Sequence, residues 1–168
     1  MSLPRLIVFD LDFTLWDCGG TWCDCLSPPF RIVQGRVLDR RDSHVQIYPF
    51  ARKVFEWAAK RNIPLALASR TEQPRWAIEL LRLLELSSLF RWQQIFPDCK
   101  LRHFEALQRD SGIELQDMLF FDDEQRNIRD VSTLGVTCVH VPTGLNERIF
   151  FQGLHLHSTE SQPTENFL

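Results

Sequence analysis

The chain has no long basic run and no apolar stretch approaching the ~20 residues that cross a bilayer. Its net charge is −3 over 168 residues, so nothing in the balance suggests a nucleic-acid surface, and neither nucleic acid nor membrane is an expected partner. A secretory signal layout is also missing: in "MSLPRLIVFD" a carboxylate ends the short apolar run. A cytoplasmic protein is expected. Cysteine is scarce and unpaired in pattern. The five are Cys18, Cys23, Cys25, Cys99 and Cys138, an odd number, which argues against a disulfide framework. "DCGGTWCDC" spaces three of them as C-x4-C-x-C with no second pair nearby, so zinc is disfavoured and free loop thiols are expected. His155 and His157 lie in a polar tail and would complete a metal site only by coincidence of folding. There is no internal repeat and no low-complexity linker. One domain over residues 1–154 is expected, with a disordered tail at 155–168.

Short apolar strands alternate with amphipathic helices. "LIVF" is a strand, and the loop-rich stretch from Asp17 to Asp42 leads into a small hairpin made of "RVLD" and "HVQIY". Helices follow in "PFARKVFEWAAKRN", in "QPRWAIELLRLLEL" behind Pro74, and in "KLRHFEALQRDSG", which Gly112 ends. "IPLALAS", "QQIF", "DMLFFDDE" and "VTCVHV" read as strands, "RNIRDVSTLG" as a helix closed by Gly135, and "LNERIFFQGL" as a short last helix. Such alternation builds an α/β fold, a mostly parallel sheet covered by helices. Ligands of such sheets bind beyond the carboxyl ends of the strands, and Asp10, Ser69 and Asp123 each follow an apolar run.

Two carboxylates close together at a strand end, Asp10 and Asp12 of "DLDFT", repel each other unless a cation or a shared proton relieves them. Further along stand "ASRT" with Ser69 and Arg70, then Lys100, then "FFDDE" with Asp122 and Asp123. Taken singly, each has a bland explanation: a serine cap, a solvated lysine, an acidic pair at a helix start. Together they make an oxygen-rich site suited to Mg2+. A carboxylate held ionised by that cation can attack phosphorus and form an acyl phosphate, dividing one hard step into two. Ser69 and Lys100 would hold the phosphate oxygens, and Asp12 would protonate the leaving oxygen and then deprotonate the attacking water.

These four motifs, in this order, resemble the haloacid dehalogenase-like superfamily. "VFDLDFTLW", "DRR", "YP", "ASRT", "HFEALQ", "FFDDEQRNI" and "LGVTCVHV" are more closely similar to the magnesium-dependent phosphatase-1 family, as far as Leu154. The resemblance implies a Rossmann-like sheet with helices on both faces. It implies Asp10 as nucleophile and metal ligand, Asp12 as acid/base with its carbonyl on the metal, and Ser69, Arg70 and Lys100 on the substrate phosphate. It favours Asp123 as the direct ligand, with Asp122 and Thr14 one layer behind; residue chemistry alone does not separate Asp122 from Asp123. The three cysteines after Trp16 depart from the family pattern and bear on substrate preference.

The stretches from Thr14 to Ser69 and from Arg70 to Lys100 leave no room for a separate cap of ~50 residues beside their own strands and helices. A capless, open site suits a phosphate on a large or protruding group, phosphotyrosine or a sugar phosphate attached to protein. Trp16, Trp22, Phe30 and Tyr48 either line its rim or pack the hairpin onto the body. Rival readings are a receiver-like phosphoaspartate signalling domain, disfavoured because Asp-x-Asp comes first and the acidic pair last, and a non-catalytic domain of the same fold. A cysteine phosphatase is disfavoured: six residues past Cys99 stands Glu105 and past Cys138 stands Gly144, where such a site needs an arginine. Asp12, an acid suited to an oxygen leaving group, argues against dehalogenation.

Overall fold

The computed structural model describes residues 2–160. Among them, five strands form a parallel sheet: β1 (Leu6–Phe9), β6 (Leu65–Ser69), β7 (Phe90–Ile95), β8 (Met118–Asp122) and β9 (Thr137–His140). Their order across the sheet is β7-β6-β1-β8-β9. The chain starts in the middle, builds outward through β6 and β7, then crosses back to β8 and β9. Winding reverses at β1, and that reversal opens a crevice beyond the strand ends.

The strands are covered on both sides, and their sequences show it. Every residue of β1, β6 and β8 is buried, as continuous apolar runs in central parallel strands should be. Alternate side chains feed two cores. Ile7 and Phe9 face α1 (Ala51–Ala59), α2 (Pro74–Leu83) and α5 (Glu147–Glu160), while Leu6 and Val8 face α3 (Lys100–Ser111) and α4 (Gln125–Ser132). Phe9 and Phe121 stack at 5.4 Å on the first face. Gly153 lets α5 approach closely there, since a Cβ at that position would lie 2.7 Å from the Phe121 ring. Pro74 opens α2, and Gly112, left-handed at φ 68°, ends α3, as the turn chemistry predicts.

Between β1 and α1 stands a second, antiparallel sheet with the order β2-β5-β4-β3, made of β2 (Trp16–Asp17), β3 (Arg31–Val33), β4 (Arg36–Leu38) and β5 (His44–Ile47). The expected hairpin is its β4–β5 pair. β3 is exposed at every residue and β2 is two residues long, so neither carries the alternation that marks a strand. Asp39 ties the turn after β4: its carboxylate accepts the backbone N–H groups of Ser27, Arg41 and Ser43, each at 2.8 Å. Burial opposes its charge, yet those amides hold its carboxyl below the ordinary range.

The expected tail is corrected in part. α5 continues to Glu160, so residues 155–160 are helical. His157 is buried beside Thr137 of β9 (Nδ1 to Oγ1, 3.1 Å), and the Thr137 hydroxyl donates to Glu160 at 2.8 Å. Polar residues here satisfy polar partners on β9, which composition cannot reveal. The remainder of the expected tail, 161–168, lies outside the described residues. Among the described residues, no helix is long and apolar enough to cross a membrane.

Candidate active site

Asp10 follows the last residue of β1, Asp122 ends β8 and Asp123 follows it, and Ser69 ends β6. The Asp10 amide donates to the carbonyl of Phe121 at 3.0 Å, so the parallel pairing of β1 with β8 carries on into the site. Lys100, the first residue of α3, comes from beneath and is 1% exposed. Its ammonium donates to Asp10 Oδ1 at 2.7 Å and to the carbonyl of Ala68, and lies 3.1 Å from Asp122 Oδ2. Residues drawn from four separate stretches of sequence thus meet at one rim, and the lysine is buried rather than solvated.

The charge count there does not balance within the protein. Asp10, Asp122 and Asp123 each offer a carboxylate oxygen, all within 4.8 Å of one another, against one ammonium. Burial drives the Asp10 carboxyl well above its usual range; Lys100 draws it down and Asp122 pushes it up again. Asp123 is pushed up to about 7, by burial first and by the neighbouring Asp122 and Glu124 next. Burial alone would lower Lys100, but Asp10 and Asp122 outweigh it and hold the ammonium above its ordinary value. A hard divalent cation would meet this excess of buried anionic oxygen, and the donor set is the all-oxygen kind such cations take.

Asp123 lines the pocket, whereas Asp122 is fully buried with its oxygens already engaged. Asn127 of α4 donates its amide to both of them, at 3.1 and 3.0 Å, and the Glu124 amide adds a third bond at 2.7 Å. Arg70 in turn donates to Asn127 Oδ1 at 3.2 Å, while its Nε is buried with no partner. Sequence reasoning missed Asn127. It stands inside "FFDDEQRNI", but only the start of α4 shows that it bridges the acidic pair to Arg70.

Asp12 is held quite differently. After β1 the chain turns tightly, with the amides of Thr14, Leu15 and Trp16 all donating to the Leu11 carbonyl and Phe13 left-handed at φ 58°. Such a φ is costly for an aromatic residue. The turn brings Trp16 back over Asp12, whose Oδ1 accepts the indole N–H at 2.7 Å, the Cys23 amide at 3.0 Å and the Cys18 thiol at 3.6 Å. Burial raises the Asp12 carboxyl, and these donors pull against that rise. Thr14 is fully buried with its hydroxyl unpartnered, and it does not line the pocket.

The pocket between these groups has a volume of about 260 Å³. Asp10, Asp12, Ser69, Arg70, Lys100 and Asp123 line it, and so does Trp22, which is 52% exposed. Of the four aromatic candidates for the rim, Trp16 and Phe30 are buried in the core, Tyr48 packs against Gly144, and Trp22 lines the opening, edge-on to Phe13 at 5.6 Å. The cysteines are free: Cys18 and Cys23 buried, Cys25 exposed. Among the described residues, the Asp10–Asp122–Asp123 group is the one cluster of three such side chains arranged so that it could hold a metal ion.

The sequence profile of the acid phosphatase family matches residues 2–160. The chain belongs to the acid phosphatase family. Human magnesium-dependent phosphatase 1 is 46% identical over 154 residues, spanning 90% of this chain and 86% of its own. A HAD-like hydrolase superfamily protein of Schizosaccharomyces pombe is 31% identical over 150 residues, spanning 82% and 85%. Both bear out the resemblance carried by the motifs. Solved structures extend it at the level of fold. A putative phosphatase from Clostridium difficile superposes with a TM-score of 0.66 at 16% identity, over 98% of this chain and 94% of its own. A HAD-superfamily hydrolase from Ehrlichia chaffeensis gives 0.64 at 13% identity, over 96% and 100%. This member of the acid phosphatase family therefore shares its parallel sheet and flanking helices with that superfamily.

Proposed function

We propose that this protein is a Mg2+-dependent phosphomonoester hydrolase that works through an aspartyl phosphate on Asp10. The observation that carries the reading is the buried group at the strand ends: three carboxylates around one ammonium, inside a chain 46% identical to a protein named magnesium-dependent phosphatase 1. Asp10, Asp123 and the Asp12 carbonyl would hold Mg2+, with Asp122 and Thr14 behind them, and the cation would supply positive charge against the transferring phosphoryl group. Asp10 attacks phosphorus, and the bond from phosphorus to the leaving oxygen breaks. Lys100 favours the anionic form of Asp10 against its burial and orients it, and with Ser69 and Arg70 it draws the phosphate oxygens into place. Asp12 delivers a proton to the leaving oxygen, then takes one from the water that hydrolyses the acyl phosphate.

The opening of the pocket supports a class of substrate. Among the described residues no separate cap domain covers the site, and Trp22 and Asp24, between β2 and β3 of the antiparallel sheet, line the pocket. Trp22, 52% exposed, offers an aromatic face to whatever carries the phosphate. A phosphate that projects from a larger body, such as phosphotyrosine or a sugar phosphate on a protein, suits that opening.

Asp10→Asn tests the reading. Turnover of an aryl phosphate should fall more than about a thousandfold with the fold retained, and chelation of Mg2+ should abolish wild-type activity. Near-normal rates in the variant, or chelator-resistant turnover, would refute the assignment. A receiver-like signalling domain would accept phosphate from an aryl ester once and not cycle, so multiple turnovers separate the two readings. Parallel assays of phosphotyrosine peptides and sugar phosphates rank the substrate classes.

A further inference from the structure

The cysteine-bearing stretch after Trp16 has no place in the chemistry above. Neither of its buried thiols suits redox or nucleophilic work. Both are buried and already engaged, Cys18 donating to Asp12 Oδ1 and Cys23 in a hydrogen bond with the Thr71 hydroxyl, and a buried, hydrogen-bonded thiol is a poor nucleophile. What a protonated thiol can do is donate a weak hydrogen bond.

Three donors from this stretch converge on a single atom. Trp16 Nε1, the Cys23 amide and Cys18 Sγ all end on Oδ1 of Asp12, at 2.7, 3.0 and 3.6 Å. The loop is itself pinned from outside: the Cys23 thiol meets the Thr71 hydroxyl at 3.2 Å, just past the end of β6, and Trp16 is fully buried. Asp12 is not a member of the Asp10–Asp122–Asp123 oxygen group, although it lines the same pocket as Asp10 and Asp123. A carboxylate free to rotate beside that cluster would be drawn to any cation bound there and lost as a proton carrier.

We propose that Trp16 and the 18–23 loop form a clamp that fixes the Asp12 carboxyl through Oδ1, leaving Oδ2 to exchange the proton with the leaving group and holding the side chain off the metal. Trp16, Cys18 and Cys23 are positioning residues for Asp12. The inference rests on Asp12 being the acid/base of the proposed hydrolysis. It assigns the cysteine loop a role in phosphoryl chemistry with no thiol reaction.

General-acid assistance matters most when the leaving group is poor, so the test compares kcat/KM for phenyl phosphate with that for p-nitrophenyl phosphate. Trp16→Phe keeps an aromatic ring and removes the N–H. It should lose about tenfold on phenyl phosphate and less than about threefold on p-nitrophenyl phosphate. Cys18→Ala should lose about threefold on phenyl phosphate alone, and Cys18→Ser, which restores a donor, should recover it. Equal losses on both esters, or none on either, would overturn the clamp. Should Trp16→Phe fail to fold, the Cys18 pair decides by the same ratio. Asp12→Asn separates the layers. If it discriminates between the esters and the loop variants do not, only the clamp fails; if it does not discriminate, the acid/base reading fails first.

Discussion

The two walls of the pocket hold their carboxylates by opposite means. On the strand-end wall, Asp10, Asp122 and Asp123 are gathered from β1 and β8, and the balancing group is a buried ammonium from α3. On the loop wall, Asp12 is held from the following stretch, by an indole four residues on, a thiol six on and an amide eleven on, all neutral. Charge balanced by charge is strong and unforgiving, because removing one partner leaves the other buried and alone. Charge balanced by dipoles is weaker, and each donor removed costs a modest amount. The first arrangement suits a nucleophile that must stay ionised. The second suits a group that has to carry a proton in one half of the reaction and lack it in the other.

Lys100→Met is the harshest way to break this contrast. It leaves Asp10 and Asp122 buried without their cation, so denaturant unfolding in the presence of chelator should show a loss of about 3–5 kcal/mol. Turnover should fall more than about a hundredfold. Saturating Mg2+ should restore part of the stability, since a bound cation replaces the missing charge. A loss no greater than that of Trp16→Phe would mean that the strand-end wall is not held by charge.

Mg2+ affinity against pH sharpens the comparison on the same wall. Asp123 titrates at about 7 when no cation is bound, raised by burial and then by Asp122. A cation must displace that proton below the midpoint, so binding should weaken as pH falls and level off above it. Titration calorimetry at pH 6 and pH 8 should differ by about tenfold or less for one proton. A constant affinity would show that Asp123 is already ionised.

The smallest effect concerns the arm beside the loop wall. Asp39 accepts three backbone amides, and its carboxyl lies below the ordinary range in the fold. A group depressed in this way contributes stability that is fully present above its unfolded value near ~4 and is lost as pH falls through the folded one. Asp39→Asn should cost about 1 kcal/mol at pH 7, and the gap to wild type should narrow in acid. A gap that does not change with pH would refute the charged role of Asp39.

Much of this was legible before any coordinates. The apolar runs of β1, β6 and β8, Pro74 and Gly112 at helix boundaries, and the order of Asp10, Ser69, Lys100 and Asp122–Asp123 pointed to a parallel sheet with its chemistry at the strand ends. Patterns of one or two residues were not legible. β3 and β2 lack alternation, and the end of α5 hides its buried His157 among polar neighbours. Asn127 and the three donors to Asp12 escaped notice because an asparagine, a tryptophan or a cysteine near a carboxylate in sequence carries no sign of where its hydrogens point.

By itself the sequence determined the layers of this protein and the identity of its reactive groups, because hydrophobic periodicity and side-chain chemistry are properties of the chain read in order. Only the tertiary structure decided which groups share a buried charge and which share a neutral hydrogen bond. Those energies depend on distance and burial: the closeness of Lys100 to two aspartates, and the return of Trp16 over Asp12, exist only once the crossovers and the tight turn have formed.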